Sequence, residues 1–136
     1  MNGSSCAAGC PGRTTLLVAI RRRGTPHGTP GHNVVHDYAF LAVCAACGTG
    51  RLESFSHDCW HHPDDEPWDM SWVRTVPAAD VDLLRGVLRT CPAPENDQCE
   101  CPVHTALADS SQRLGPSATT AAVTLVDGVA RFERNG

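Results

Sequence analysis

Along the chain the apolar positions change period several times, and each change predicts an element. TTLLVAI, residues 14–20, is apolar on both faces until it meets three arginines, as a strand would be. In residues 34–44 (VVHDYAFLAVC), Tyr38, Phe40 and Ala42 alternate with Ala39, Leu41 and Val43. Both sets are apolar, which predicts a central strand covered on both faces. Residues 51–58 read as its returning partner, and residues 70–76, carrying Trp72, as a further strand.

The period then becomes helical. Val81, Leu84 and Leu88 fall at i, i+3 and i+7, a core-facing stripe behind Pro77, which a first helical turn tolerates. Asp80 and Asp82 suit the positive N-terminal end, Arg85 and Arg89 fall on other faces, and Cys91-Pro92 closes the helix. Pro102 opens a second helix, with Val103, Leu107 and Leu114 facing inward and Gly115-Pro116 as its stop. Between residues 121 and 132, Asp127-Gly128 separates two β-rich runs, a two-residue hairpin signal. The expected fold is α+β: strands from residues 14–21, 34–44, 51–58 and 121–133 in a mostly antiparallel sheet, with two helices beside it. Residues 13–136 form one domain behind a flexible tail, residues 1–12, and no internal repeat is visible.

Composition sharpens this picture. The 136 residues include 12 Gly and 10 Pro but only 5% aromatics. Such a loop-rich chain needs a staple beyond hydrophobic burial, and eight cysteines and seven histidines can supply it. Net charge is −4, and all eleven basic residues are arginine. Arg21, Arg22 and Arg23 are the only basic run, short of the stripe expected of a nucleic-acid binder, so nucleic acid is a weak candidate partner. The apolar runs fall below the roughly 18–20 residues of a membrane span. LLVAI precedes its arginines rather than following them, unlike a secretion signal, and AAGC, ending at Cys10, lacks the apolar stretch of a lipoprotein cleavage box. The expectation is therefore a cytoplasmic chain without a membrane anchor, where thiols stay reduced and dense cysteine points to metal before disulfides.

Cys44-Ala-Ala-Cys47-Gly48 ends a strand, and this is how a metal knuckle is built. The turn brings the second sulfur beside the first, and Gly48 permits a positive backbone angle. Zinc takes four N or S ligands in a tetrahedron. His57 and Cys59 stand at the far end of the returning strand. Cys91, Cys99, Cys101 and His104 follow, the last two at i and i+3 on the first turn of a helix, where they share a face and the helix end favours thiolate. Two groupings are open. In one, Cys44, Cys47, His57 and Cys59 hold one ion and Cys91, Cys99, Cys101 and His104 another. In the other, Cys44, Cys47, Cys101 and His104 share a single ion. Buried free thiols are the plainer alternative, chiefly for Cys59 and Cys91. An iron–sulfur cluster fits less well, because the spacing matches no common ferredoxin pattern. Cys6 and Cys10 stay unassigned.

A knuckle leading into a hairpin, with a later C-x-x-H on a helix's first turn, resembles the treble-clef and zinc-ribbon class. The resemblance covers residues 44–59 and 91–104. It implies one structural zinc and says almost nothing about activity. The extra cysteines and the long gap between Cys47 and Cys101 depart from that class.

Catalytic signatures are sparse. H-x-E with P-C-x-x-C, H-E-x-x-H, G-x-S-x-G and the P-loop are all missing from the sequence. Trp60-His61-His62 resembles the WHH branch of the HNH nucleases, which would make His61 and His62 a metal ligand and a general base. The downstream His-plus-Gly pair of those enzymes is missing, and Asp64, Asp65 and Glu66 would repel a phosphate backbone. The leading expectation is a non-enzymatic binding module carrying one or two structural zinc ions, with a protein partner. The alternatives are a metal-dependent hydrolase or nuclease using His61 and His62, and nucleic-acid binding through Arg21, Arg22 and Arg23.

Overall fold

A computed structural model describes Cys10 and residues 13–22, 35–58, 69–112, 114 and 119–134. Four strands follow one another as an antiparallel meander: β1 (Thr14–Arg22), β2 (Val35–Cys44), β3 (Gly50–Asp58) and β4 (Asp69–Val76). Helices α1 (Ala78–Leu88) and α2 (Pro102–Gln112) come next, and the hairpin β5 (Ala121–Val126) and β6 (Val129–Arg134) closes the described chain. The fold is α+β, with two helices and antiparallel strands. No helix among the described residues is long and apolar enough to cross a membrane.

The meander puts Val18, Ile20, Ala39, Leu41, Val43, Leu52 and Val76 on one face, and all of them are buried. Val81, Leu84 and Leu88 of α1, Leu107 of α2, and Val123 and Phe132 of the hairpin complete the same core. Fully burying one large aliphatic side chain is worth about 1.5–3 kcal/mol. Gly50 lies where the sheet comes close to α1. A Cβ there would come within 2.9 Å of Leu41 Cδ1 and 3.0 Å of Val81 Cγ2.

Two expectations change. First, β2 is central, but among the described residues the helices and the hairpin cover one of its faces only. Tyr38, Phe40 and Ala42 are half-exposed, because the helices and the hairpin all pack on the other side. On this face Phe40 and Phe55 meet edge to face at 6.0 Å, and the Arg21 guanidinium lies over the Tyr38 ring at 5.4 Å. Second, the strands divide into two sheets, not one. β5 and β6 form their own two-stranded ladder, joined to β4 through a single parallel bridge between Thr75 and Thr120. Side chains explain how the small sheet is held. Val123 and Phe132 face each other across the hairpin, and their amides point outward. Asp80 of α1 accepts from the Val123 amide at 3.3 Å, and Ser110 of α2 accepts from the Phe132 amide at 2.9 Å. The hairpin is thus clamped between the helices. Its turn is the one the sequence predicts: Asp127 and Gly128 both have positive φ, 54° and 79°.

One charged residue is placed against the pattern. Arg74 sits on the core face of β4 and is buried, with Nη1 donating to Ser54 Oγ at 3.2 Å; burial pushes its pKa below the ordinary arginine value.

Candidate metal centre

Between α1 and α2 the chain has little apolar surface with which to hold itself in place. Short turns fold it instead: the Asn96 amide donates to Ala93 O, the Cys99 amide to Asn96 O, and the Gln98 amide to Asn96 Oδ1. Folding these turns draws Cys91, Cys99, Cys101 and His104 into one cluster, with all four ligand atoms within 4.8 Å of one another. Cys91 Sγ lies 3.9 Å from Cys99 Sγ, 3.6 Å from Cys101 Sγ and 3.2 Å from His104 Nδ1, and Cys101 Sγ lies 3.4 Å from that nitrogen. These are the spans of a tetrahedral ligand cage: a metal–sulfur bond of about 2.3 Å puts neighbouring sulfurs about 3.8 Å apart.

Three local features orient the ligands. Cys101 stands at the N-cap of α2, and its sulfur accepts the His104 amide at 3.4 Å, the role usually taken by Ser, Thr, Asp or Asn. The helix end adds its positive pole to that thiolate. His104 is buried, and its Nε2 lies 3.0 Å from Ala19 O. A carbonyl can only accept, so Nε2 carries the hydrogen. In the neutral ring Nδ1 then presents a lone pair to the sulfurs, the arrangement that metal-bound histidines share. The Ala19 amide donates to Pro94 O at 2.9 Å, so one outward backbone group of this β1 residue fastens the cysteine loop to the sheet edge and the other fastens His104 of α2.

The thiols differ electrostatically. Burial pushes the Cys91 thiol up to about 12, with the Cys101 and Cys99 thiols acting in the same sense. Burial also raises Cys101, but the His104 amide and ring and the neighbouring thiols outweigh it and hold the thiol down to about 6. A divalent cation at the centre is what would let the buried sulfurs ionise together. With four protein ligands, the cage leaves no coordination position open for a substrate.

A second cluster lies at the other end of β1. Cys10, Cys44 and Cys47 bring their sulfurs within 4.8 Å of one another. The Ala46 amide donates to Cys44 Sγ at 3.4 Å, and Gly48 takes the positive φ, 78°, that the knuckle needs. Cys44 is buried, Cys10 half-buried and Cys47 exposed. Each cluster could hold a metal ion.

The structure thus gathers Cys91, Cys99, Cys101 and His104, and joins Cys44 and Cys47 to Cys10 rather than to Cys101 and His104. His57 lies on β3 opposite His36 and Asp69. It is seven residues from the knuckle end of that strand, roughly 23 Å at strand rise, so β3 carries it away from Cys44 and Cys47. The side chain of His57, and Cys6, Cys59, His61, His62 and Arg23 altogether, fall outside the described residues. Cys10 is the functional residue that sequence reasoning left unassigned. Its signal is the β1–β2 register, which pairs Thr14 with Cys44 and ties the Ala45 amide to Arg13 O at 2.9 Å.

No protein family matches the chain, and no curated protein or solved structure matches it either.

Proposed function

We propose that this chain is a small structural-zinc domain, with zinc held by Cys91, Cys99, Cys101 and His104, and that it works as a non-enzymatic binding module for a protein partner. The observation that carries the zinc assignment is the pairing of His104 Nε2 with Ala19 O, which aims Nδ1 at three sulfurs at tetrahedral spacing. Nitrogen with three sulfurs is a zinc ligand set, and hard cations such as magnesium or calcium would not choose it. The resemblance to the treble-clef and zinc-ribbon class then survives in its parts: the knuckle ends β2, and the ligand pair opens α2. The two pairs serve separate clusters, which that class does not do. The binding half of the reading is supported by the sheet face on which no described element packs, where Tyr38, Phe40 and Phe55 are part-exposed and Val73 is 43% exposed. Aromatic side chains grouped this way are what a protein interface enriches.

Elemental analysis of protein purified without chelator is the test. Zinc should be retained, and Cys91→Ser and Cys101→Ser should each lose zinc together with the cooperative melt. Protein that is free of zinc yet melts cooperatively would defeat the assignment. For the binding half, in-cell cross-linking should map to the Tyr38, Phe40 and Phe55 face and vanish in Phe40→Asp. Cross-links unchanged by that substitution would remove the partner reading.

A further inference from the structure

The two clusters differ in a way that assigns them different ions. The first is nitrogen and sulfur, four ligands, sunk into the core edge. Among the described residues the second is sulfur alone, three ligands, at the surface: Cys44 is 2% exposed, Cys10 half-buried and Cys47 exposed. We propose that Cys10, Cys44 and Cys47 form a three-thiolate site for a soft monovalent d10 ion, Cu(I) in class, which exchanges with thiols outside the protein.

Three observations carry this. All three sulfurs lie within 4.8 Å of one another, close enough to share one ion, and none of them is held in a disulfide. Soft thiolate ligands with no oxygen or nitrogen among them select soft metals. Three sulfurs fill the trigonal shell with which Cu(I) is content, whereas a structural zinc asks for a fourth ligand. The sulfurs are also held without the ion's help. Cys44 is fixed by its strand, by the hydrogen bond its amide donates to Thr49 O at 3.0 Å and by the Ala46 amide donating to its sulfur. Cys10 stands shortly before β1, where the carbonyl of Arg13, the residue ahead of the strand, accepts from the Ala45 amide. Cys47 sits in the tight turn that the Gly48 amide closes by donating to Cys44 O at 2.9 Å. A site made this way is preformed, so loading it requires little rearrangement. Because Cys47 faces solvent, an incoming thiol can approach the ion directly. Binding releases the thiol protons and involves no redox step, provided copper is supplied as Cu(I).

The test uses full-length, zinc-loaded protein under anaerobic, reducing conditions, titrated with Cu(I) buffered by a chromophoric chelator while released zinc is read by a zinc dye. The first equivalent of Cu(I) should be retained with no zinc released. Cys10→Ser and Cys47→Ser should each weaken Cu(I) retention at least about tenfold, with zinc content and melting temperature unchanged. Cys6→Ser should leave Cu(I) affinity as it was. Any of these outcomes overturns the proposal: the first Cu(I) expels zinc one for one; Cys47→Ser retains Cu(I) as well as the natural chain; or Cys6→Ser weakens retention as much as Cys47→Ser, which makes the site a four-thiolate one. A second zinc ion that Cu(I) does not displace also overturns it.

Discussion

Both sulfur clusters touch β1, one at Ala19 and one near Thr14, yet they depend on the fold in opposite ways. The knuckle with Cys44 and Cys47 is placed by elements that already have reasons to exist. The β1–β2 and β2–β3 ladders fix its position, and Leu41, Val76 and Val81 close over Gly50 beneath it. The loop carrying Cys91, Cys99 and Cys101 has few such supports. It is built from short turns and one strand-edge bond to Ala19, and its ligands are its principal packing. On the proposed assignments, an ion in the first cluster would be part of folding, while an ion in the second would be cargo on a finished scaffold.

The widest separation between the two should appear on removing ligands. Structural zinc contributes roughly 10–16 kcal/mol in apparent binding free energy, as much as or more than the roughly 5–15 kcal/mol net stability of a typical domain. Cys101→Ser, or a strong chelator, should abolish the cooperative thermal transition followed by circular dichroism. Cys47→Ser should leave that transition where it is. Equal damage from the two substitutions would erase the distinction.

Acid should act through the same cluster. The Cys101 thiol is held well below its ordinary value of 9.0, at about 6. Its ionised form is thus favoured by folding. The stability it contributes is complete above the ordinary thiol range and is lost as pH falls through 6. A bound cation competes with protons and moves the loss to lower pH. Zinc release and unfolding should then coincide in a titration below pH 6. Zinc lost while the circular dichroism stays native would place the stability of this region elsewhere.

A smaller effect tests the scaffold under the knuckle. Gly50→Ala puts a methyl 2.9 Å from Leu41 Cδ1, 3.0 Å from Val81 Cγ2 and 3.2 Å from Val76 Cβ. Overpacking of this kind typically costs about 1–3 kcal/mol. It should appear as a lower melting temperature with zinc content unchanged. An unaltered melt would mean that α1 can shift away without loss, and that the knuckle does not rest on this contact.

How much of this could be read from the sequence follows the range of each signal. Asp127-Gly128, the Val81, Leu84 and Leu88 stripe, and Cys101 with His104 behind Pro102 are decided within a few residues, and spacing alone displayed them. Which face of β2 is covered depends on where the helices and the hairpin land, and alternation along one strand carries no record of that. The same holds for β5 and β6, which read as strands but not as a separate sheet clamped by Asp80 and Ser110. Cys10 stayed unassigned because its partners come from the β1–β2 register, offset by the irregularity between Leu16 and Val18. Arg74 inverted a polar position into the core, which no periodicity announces.

The finest distinction concerns Cys47 itself. Its thiol is lowered to about 6, first by the Thr49 side chain, then by the Thr49 backbone, with Cys10 and Cys44 adding to both. In the native chain, alkylation of Cys47 should stay fast down to about pH 6 and slow below it. Thr49→Val removes the largest contribution and should move that midpoint upward, toward the ordinary thiol value, without altering the melt or the zinc content. Thr49→Ser keeps the hydroxyl and should restore the original midpoint. The rates are read by mass spectrometry on zinc-loaded protein, with a Cu(I) chelator present so that the three thiols stay free of ions. A Thr49→Val midpoint that does not move would mean the thiolate is held by its sulfur neighbours instead. Placing the control at Thr49 makes the knuckle tunable from a residue outside the three thiols, whereas in the first cluster the main lowering comes from the amide and ring of His104, itself a proposed ligand. The reactivity of one site can therefore be changed without touching its ligands, and that of the other cannot.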